Sequence, residues 1–191
     1  PFNRQREAAA RVAALRATER ALAEKARTFS REATQALFAR AMERRPDDWT
    51  LRAHRGGRLF EEGDVAGAAQ DLAAAVAAVP HRFDVRGDLA HCLAVLGRPD
   101  EALLALRGPD RKYGHFMDHI LRRISDELIA QGRFQVAVPF LDELARRRPR
   151  DLTPRLRRAE ARLRSGQAAQ AAAELEQFVE ASPTNGHAKM L

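Results

Sequence analysis

The chain has 191 residues, 45% of them hydrophobic but only 6% aromatic, and 33 basic against 26 acidic side chains leave a net charge of +7. Ala and Leu supply most of the apolar content, which favours closely packed helices. No apolar run approaches the roughly 18 residues of a membrane-spanning helix, and a single cysteine, Cys92, excludes an intrachain disulfide framework.

Residues 3–28 read as one long Ala- and Arg-rich helix, with Val12, Leu15, Leu22 and Phe29 on a loosely heptad stripe. The stripe falls short of three good heptads, so residues 1–29 are expected to be a capping helix rather than a coiled-coil dimerisation stem. The chain opens on Pro1 and shows no signal-peptide pattern, so it reads as a region of a larger bacterial protein. Its compartment is unassigned, with the cytoplasm as the default.

Beyond this helix a beat sets in. Gly63, Gly97, Gly132 and Gly166 lie 34, 35 and 34 residues apart, and each is followed five residues later by an alanine: Ala68, Ala102, Ala137 and Ala171. Pro46 and Pro80 keep the same spacing, as do Pro149 and Pro183. A period of this size marks stacked supersecondary units, not one compact enzyme core. The expected division is a half-unit at 30–48, with Phe38, Ala41 and Pro46, then units at 49–82, 83–117, 118–151 and 152–185. Residues 186–191 either fray or begin a further unit.

The unit 49–82 shows how each is built. Leu51, Leu59 and Phe60 mark a first helix that stops at Gly63, where a left-handed residue is cheapest as glycine. Asp64 caps the next helix, and Val65, Ala68, Ala69, Leu72, Ala75, Val76 and Val79 keep helical spacing until Pro80. The unit 83–117 carries a break at Arg107-Gly108-Pro109-Asp110, with Asp110 to His115 read as loop. Tyr113 and Phe116 are either contact anchors there or the mark of a diverged repeat. In 152–185, Arg158 and Arg162 take normally apolar slots, while Leu152, Leu156, Ala159 and Leu163 form the apolar stripe. That helix is expected to be rotated, or its register shifted by one.

Laid over one another, the units supply Gly56, Leu59, Ala68, Leu72, Ala75 and Pro80; Leu89, Ala90, Leu93, Gly97, Ala102 and Leu106; Leu121, Ile124, Leu128, Gly132, Ala137, Leu141 and Pro149; and Ala159, Gly166, Ala171, Leu175, Phe178 and Pro183. This pattern resembles the tetratricopeptide repeat over roughly residues 30–185. The resemblance implies an all-α fold, a right-handed superhelical solenoid of antiparallel helix pairs. Arg52, Arg86 and Arg155 stand where the family often has Trp, and their stems are expected to cover a neighbouring helix while the guanidinium reaches water.

The resemblance also implies a function: first helices lining a concave groove that holds a peptide or a partner's helix. The groove residues it designates are His54, Gly57, Asp84, Asp88, His91, His119, Arg122, Arg123, Asp126, Arg157 and Glu160. Ala53, Gly57 and Gly87 are expected to leave room for the ligand, and the groove to grade from neutral through acidic to basic. The Asn and Lys residues with which chaperone-binding relatives clamp a terminal carboxylate are missing from these slots, so that role is not carried over.

Other constellations carry less chemistry. His115 and His119 share a helical face suited to a metal, with His91 as a distant third candidate, but the H-E-x-x-H arrangement is missing and no metal is assigned. His91 and Cys92 point about 100° apart on a helix and cannot form a nucleophile–base pair. No phosphate-binding glycine loop or paired-carboxylate motif is legible, so no catalytic residue and no cofactor is assigned. Nine arginines against four acids between Leu141 and Ser165 raise nucleic-acid or other polyanion binding as an alternative, although a solvated face explains them better. A third reading is an accessory domain of an enzyme whose catalytic part lies elsewhere.

Overall fold

The computed structural model describes residues 28–107 and 114–181. Most of the expected 1–29 cap, the Gly108–Pro109 break with Tyr113, and residues 186–191 lie outside these. The chain divides into two compact units, residues 1–51 and 52–191. In the first, helix α1 covers residues 28–44, and Pro46 stands in the turn that follows. Asp48 then caps helix α2 (Trp49–Glu61) by accepting the Thr50 amide at 3.0 Å.

The second unit holds most of α2 and then α3 (Val65–Ala78), α4 (Phe83–Val95), α5 (Pro99–Leu106), α6 (Gly114–Ala130), α7 (Phe134–Arg147), α8 (Thr153–Arg164) and α9 (Ala168–Ala181). Among the described residues there is no strand. From α3 to α5 and from α6 to α9 each helix packs against the next, α4 also lies on α6, and α5 on α7. The result is a two-layer all-helical solenoid of antiparallel pairs, with even-numbered first helices in one layer and odd-numbered second helices in the other.

The four glycines of the beat are the described residues with positive φ, at 89°, 78°, 71° and 83° for Gly63, Gly97, Gly132 and Gly166. Each closes the same turn. Around Gly63, the Asp64 amide donates to Leu59 O at 2.9 Å and the Gly63 amide to Phe60 O at 3.0 Å, satisfying two carbonyls left over at the end of α2. The same two bonds recur at Arg98 and Gly97, Arg133 and Gly132, and Gln167 and Gly166. Five residues on, Ala68, Ala102, Ala137 and Ala171 are 0–1% exposed. The first helix offers a matching small residue at Gly56, Ala90, Ser125 and Ala159. A Cβ on Gly56 would stand 2.9 Å from Leu72 Cγ and 3.2 Å from Ala68 O, so the pair closes only because both positions are small.

The core follows the expected periodicity through Leu72, Leu106, Leu121, Ile124, Leu128, Phe140, Leu141 and Leu144. Cys92 is buried in it, and burial pushes its thiol up to about 12, which removes it as a nucleophile at neutral pH.

Three expectations are corrected. Arg86 does not reach water: it is buried, its Nε donating to Ala105 O at 2.7 Å and its Nη1 to Pro80 O at 2.8 Å. Ala105 lies in the last turn of α5, where a carbonyl without a helical partner suits a cation. Helix α8 is neither rotated nor slipped. Ala159 is buried at the common register while Leu163 is exposed, and Arg158 and Arg162 turn inward onto Glu174 of α9 and Asp142 of α7. Finally, α6 begins at Gly114, so Gly114 and His115 are helical rather than loop.

Candidate interaction surface

Successive first helices present equivalent positions to solvent one period apart. One register carries His54, Asp88, Arg123 and Arg157, and a second, one turn on, carries Gly57, His91, Asp126 and Glu160. All of these are exposed except His91 and Arg157, which are half-buried; Asp84, His119 and Arg122 are exposed as well. Packing positions such as Ala68 and Leu72 repeat from unit to unit, whereas these registers are not kept: the first runs His, Asp, Arg, Arg and the second Gly, His, Asp, Glu. Such a surface is rigid in placement and individual in chemistry.

In the first register the side chains run from His54 through Asp88 to Arg123 and Arg157, whereas the second ends on the acids Asp126 and Glu160. Opposite charges on neighbouring helices meet. Asp88 of α4 faces Arg123 of α6 at 3.9 Å, and Arg157 of α8 donates to Asp126 of α6. Arg122 approaches Asp151 at 3.9 Å, and Arg82 holds Asp84 through two bonds of 2.9 and 2.5 Å. The Asp88 carboxyl sits above its ordinary range, first because surrounding protein displaces its water; Arg123 opposes that shift, Asp84 adds to it, and His91 opposes it.

The designated residue His91, and Gly87 that was expected to leave room beside it, belong to the seam between helices more than to the open face. His91 Nε2 lies 2.6 Å from Glu127 Oε2, and its ring centroid is 4.8 Å from that of Phe60. Gly87 leaves no room for a ligand: it is buried, and a Cβ there would stand 2.6 Å from Ile120 Cδ1. Its smallness admits the next unit. Gly57, by contrast, has nothing within 4 Å of its Cβ position.

Sequence reasoning missed Asp118. It is buried on the second turn of α6, where Arg147 Nε and Arg148 Nε each donate to it at 2.6 Å. Burial works to raise its pKa, but the bonds and charges of the two arginines prevail and hold it below the usual carboxylate value. The signal was an acid at a helix start opposite the arginine run 146–148. Of the nine arginines between Leu141 and Ser165, six are drawn into ion pairs and Arg164 lies over the Phe134 ring at 4.9 Å. This internal pairing offsets much of the cluster's charge, although the turn at 147–151 keeps three arginines beside Asp118 and Asp151. His115 has the Arg148 guanidinium 3.5 Å from Nδ1, and among the described residues no group of three or more His, Cys, Asp or Glu is placed to hold a metal ion. No described helix is long and apolar enough to cross a membrane.

Antiparallel pairs joined by glycine turns, packed through small residues and varying on one layer of helices, define an α-helical repeat scaffold. The family model of the tetratricopeptide repeat matches residues 59–113 and 128–191, more than half of the chain, and the chain belongs to that family. Members bind protein or peptide partners and are typically non-catalytic scaffolds. Among solved structures the chain is similar to YrrB, described as a TPR protein with an unusual peptide-binding site. The identity is 15%, over 79% of this chain and 77% of that one, with a TM-score of 0.40. It is also similar to the TPR domain of P58(IPK), at 19% identity over 82% of this chain and 48% of that one, again with a TM-score of 0.40. No curated protein matches the chain.

Proposed function

We propose that the solenoid binds a peptide or a partner's helix along the layer of first helices, with α2, α4, α6 and α8 forming a concave groove. The observation that supports this most is the division between repeating buried positions and unit-specific exposed ones. Ala68, Ala102, Ala137 and Ala171 are one residue type, whereas His54, Asp88, Arg123 and Arg157 span three, with arginine shared by the last two units. Gly57 leaves open space at one end, and charges of both signs further along supply partners for a peptide's side chains and backbone. Binding exchanges long surface pairs, such as Asp88–Arg123 and Arg122–Asp151 at 3.9 Å each, for contacts to the ligand. Exposed pairs of that kind contribute at most about 1 kcal/mol, so their loss on binding is small.

The same weakness makes the test clean. A partner captured by the purified chain and identified should lose at least about tenfold in affinity to the double charge reversal Arg122→Glu with Arg123→Glu, while the melting temperature stays within a few degrees. Unchanged affinity would remove the groove assignment.

A further inference from the structure

The edge formed by the first turns of α4 and α6, together with the turn into α8, carries an apolar cleft beside a surplus of positive charge. Phe83 opens α4 and Phe116 lies in the first turn of α6, their ring centroids 6.4 Å apart and tilted by 56°. With Ile120 beneath and His81, Arg82 and Asp84 around the rim, they line a cleft of about 330 Å³. Phe83 and Ile120 are each 8% exposed and form its floor, whereas Phe116 is 63% exposed and forms a wall. A volume of this size accepts one large side chain of a ligand.

The cleft's neighbour is cationic. Arg147, Arg148, Pro149, Arg150 and Asp151 line a second depression of about 450 Å³. The two meet at the first turn of α6, where Phe116 faces Phe83 and His115 faces Arg148. Asp118 is one carboxylate shared by two guanidiniums, Arg147 and Arg148, and Asp151 is already approached by Arg122. Arg150 adds a further exposed cation. At the cleft itself Arg82 and Asp84 offset each other. Among the described residues the patch therefore has two cations in excess of its acids, next to an aromatic recess.

From this juxtaposition we infer a second binding site, at the ends of the first helices and adjoining their exposed faces through Asp84 and Asp151: an edge that takes a short acidic peptide segment bearing a large apolar side chain. The apolar side chain enters between Phe83 and Phe116, and the flanking carboxylates lie against Arg148 and Arg150. Charge complementarity selects the occupant, since a basic segment would meet the excess cations. The aromatic recess favours a peptide over a bare phosphate backbone.

A fluorescein-labelled pentapeptide Asp-Glu-Phe-Glu-Asp, titrated by anisotropy, tests this. The chain should bind it saturably, and replacing its Phe with Ala should weaken binding by about tenfold, the equivalent of one buried aromatic side chain. Phe116→Ala and Arg150→Glu should each weaken it about fivefold or more, with circular dichroism melting curves unchanged because both side chains are exposed. Arg123→Glu should leave the affinity as it is, which separates this edge from the groove proposed above. The inference is overturned by no saturation at millimolar protein, by equal binding of the Ala or the all-basic peptide, by indifference to both edge substitutions, by loss of binding in the Arg123 variant, or by an oligothymidylate of five residues binding as tightly.

Discussion

The helix pairs α2/α3 and α8/α9 differ from α4/α5 and α6/α7 at one register, and that register separates two ways of building the same repeat. Sixteen residues apart within each unit stand Arg55 and Asp71, Leu89 and Ala105, Ile124 and Phe140, and Arg158 and Glu174. The inner two units place apolar side chains there. The outer two place an arginine and a carboxylate: Arg55 Nε and Nη2 donate to Asp71 at 2.5 and 2.6 Å, and Arg158 donates to Glu174 through Nε at 2.7 Å. The backbone accepts either because an arginine stem covers as much apolar surface as a leucine. What the ionic version adds is mutual dependence, since neither partner is tolerable in the interior without the other.

The comparison can be broken from the apolar side first. Phe140 is fully buried, and Phe140→Ala should cost about 3–5 kcal/mol in urea unfolding. A loss below about 1 kcal/mol would mean that the inner pair is not held by this contact. On the ionic side, Asp71→Ala strands the Arg55 guanidinium. Because Arg55 keeps some access to water, the expected loss is smaller, about 2–3 kcal/mol.

Acid probes a third contact, in the inner pair α6/α7. Asp118 is more readily ionised in the folded chain than unfolded, so its contribution is complete above the ordinary carboxylate value of 3.8 and disappears as pH falls through the lowered folded value. Melting temperature followed from pH 7 to 2 should drop below about pH 4, and Asp118→Asn should flatten part of that drop while lowering stability at pH 7. An identical acid profile in the variant would remove Asp118 as a linkage. The smallest effect is expected from converting one version into the other: Arg55→Leu with Asp71→Leu should leave stability within about 1 kcal/mol of the original chain. A large loss would show that the outer units need their charges.

The repeat was legible because its punctuation has a single physical cause. Only glycine sits cheaply at φ between 71° and 89°, and only a small residue fits beneath the preceding helix at Ala68 and its equivalents. What escaped the sequence were contacts whose meaning depends on a neighbour. Gly87 reads as open space until Ile120 of the next unit is packed against it. Arg86 and Arg158 read as surface residues because an arginine's partner lies 6 to 19 residues away in Pro80, Ala105, Asp142 and Glu174. The exposed faces were legible as positions but not as chemistry, since pairs such as Asp88 with Arg123 form between units and no periodicity within a unit encodes them.

In the proposed reading, buried positions build the array while exposed positions of the first helices carry recognition. It is tested most directly by isothermal titration of an identified partner into three proteins: the original chain, the Arg55→Leu/Asp71→Leu core conversion and the Arg122→Glu/Arg123→Glu reversal. The core conversion should stay within about twofold of the original affinity, and the reversal should lose at least about tenfold. Binding lost in the core conversion and kept in the reversal would contradict it.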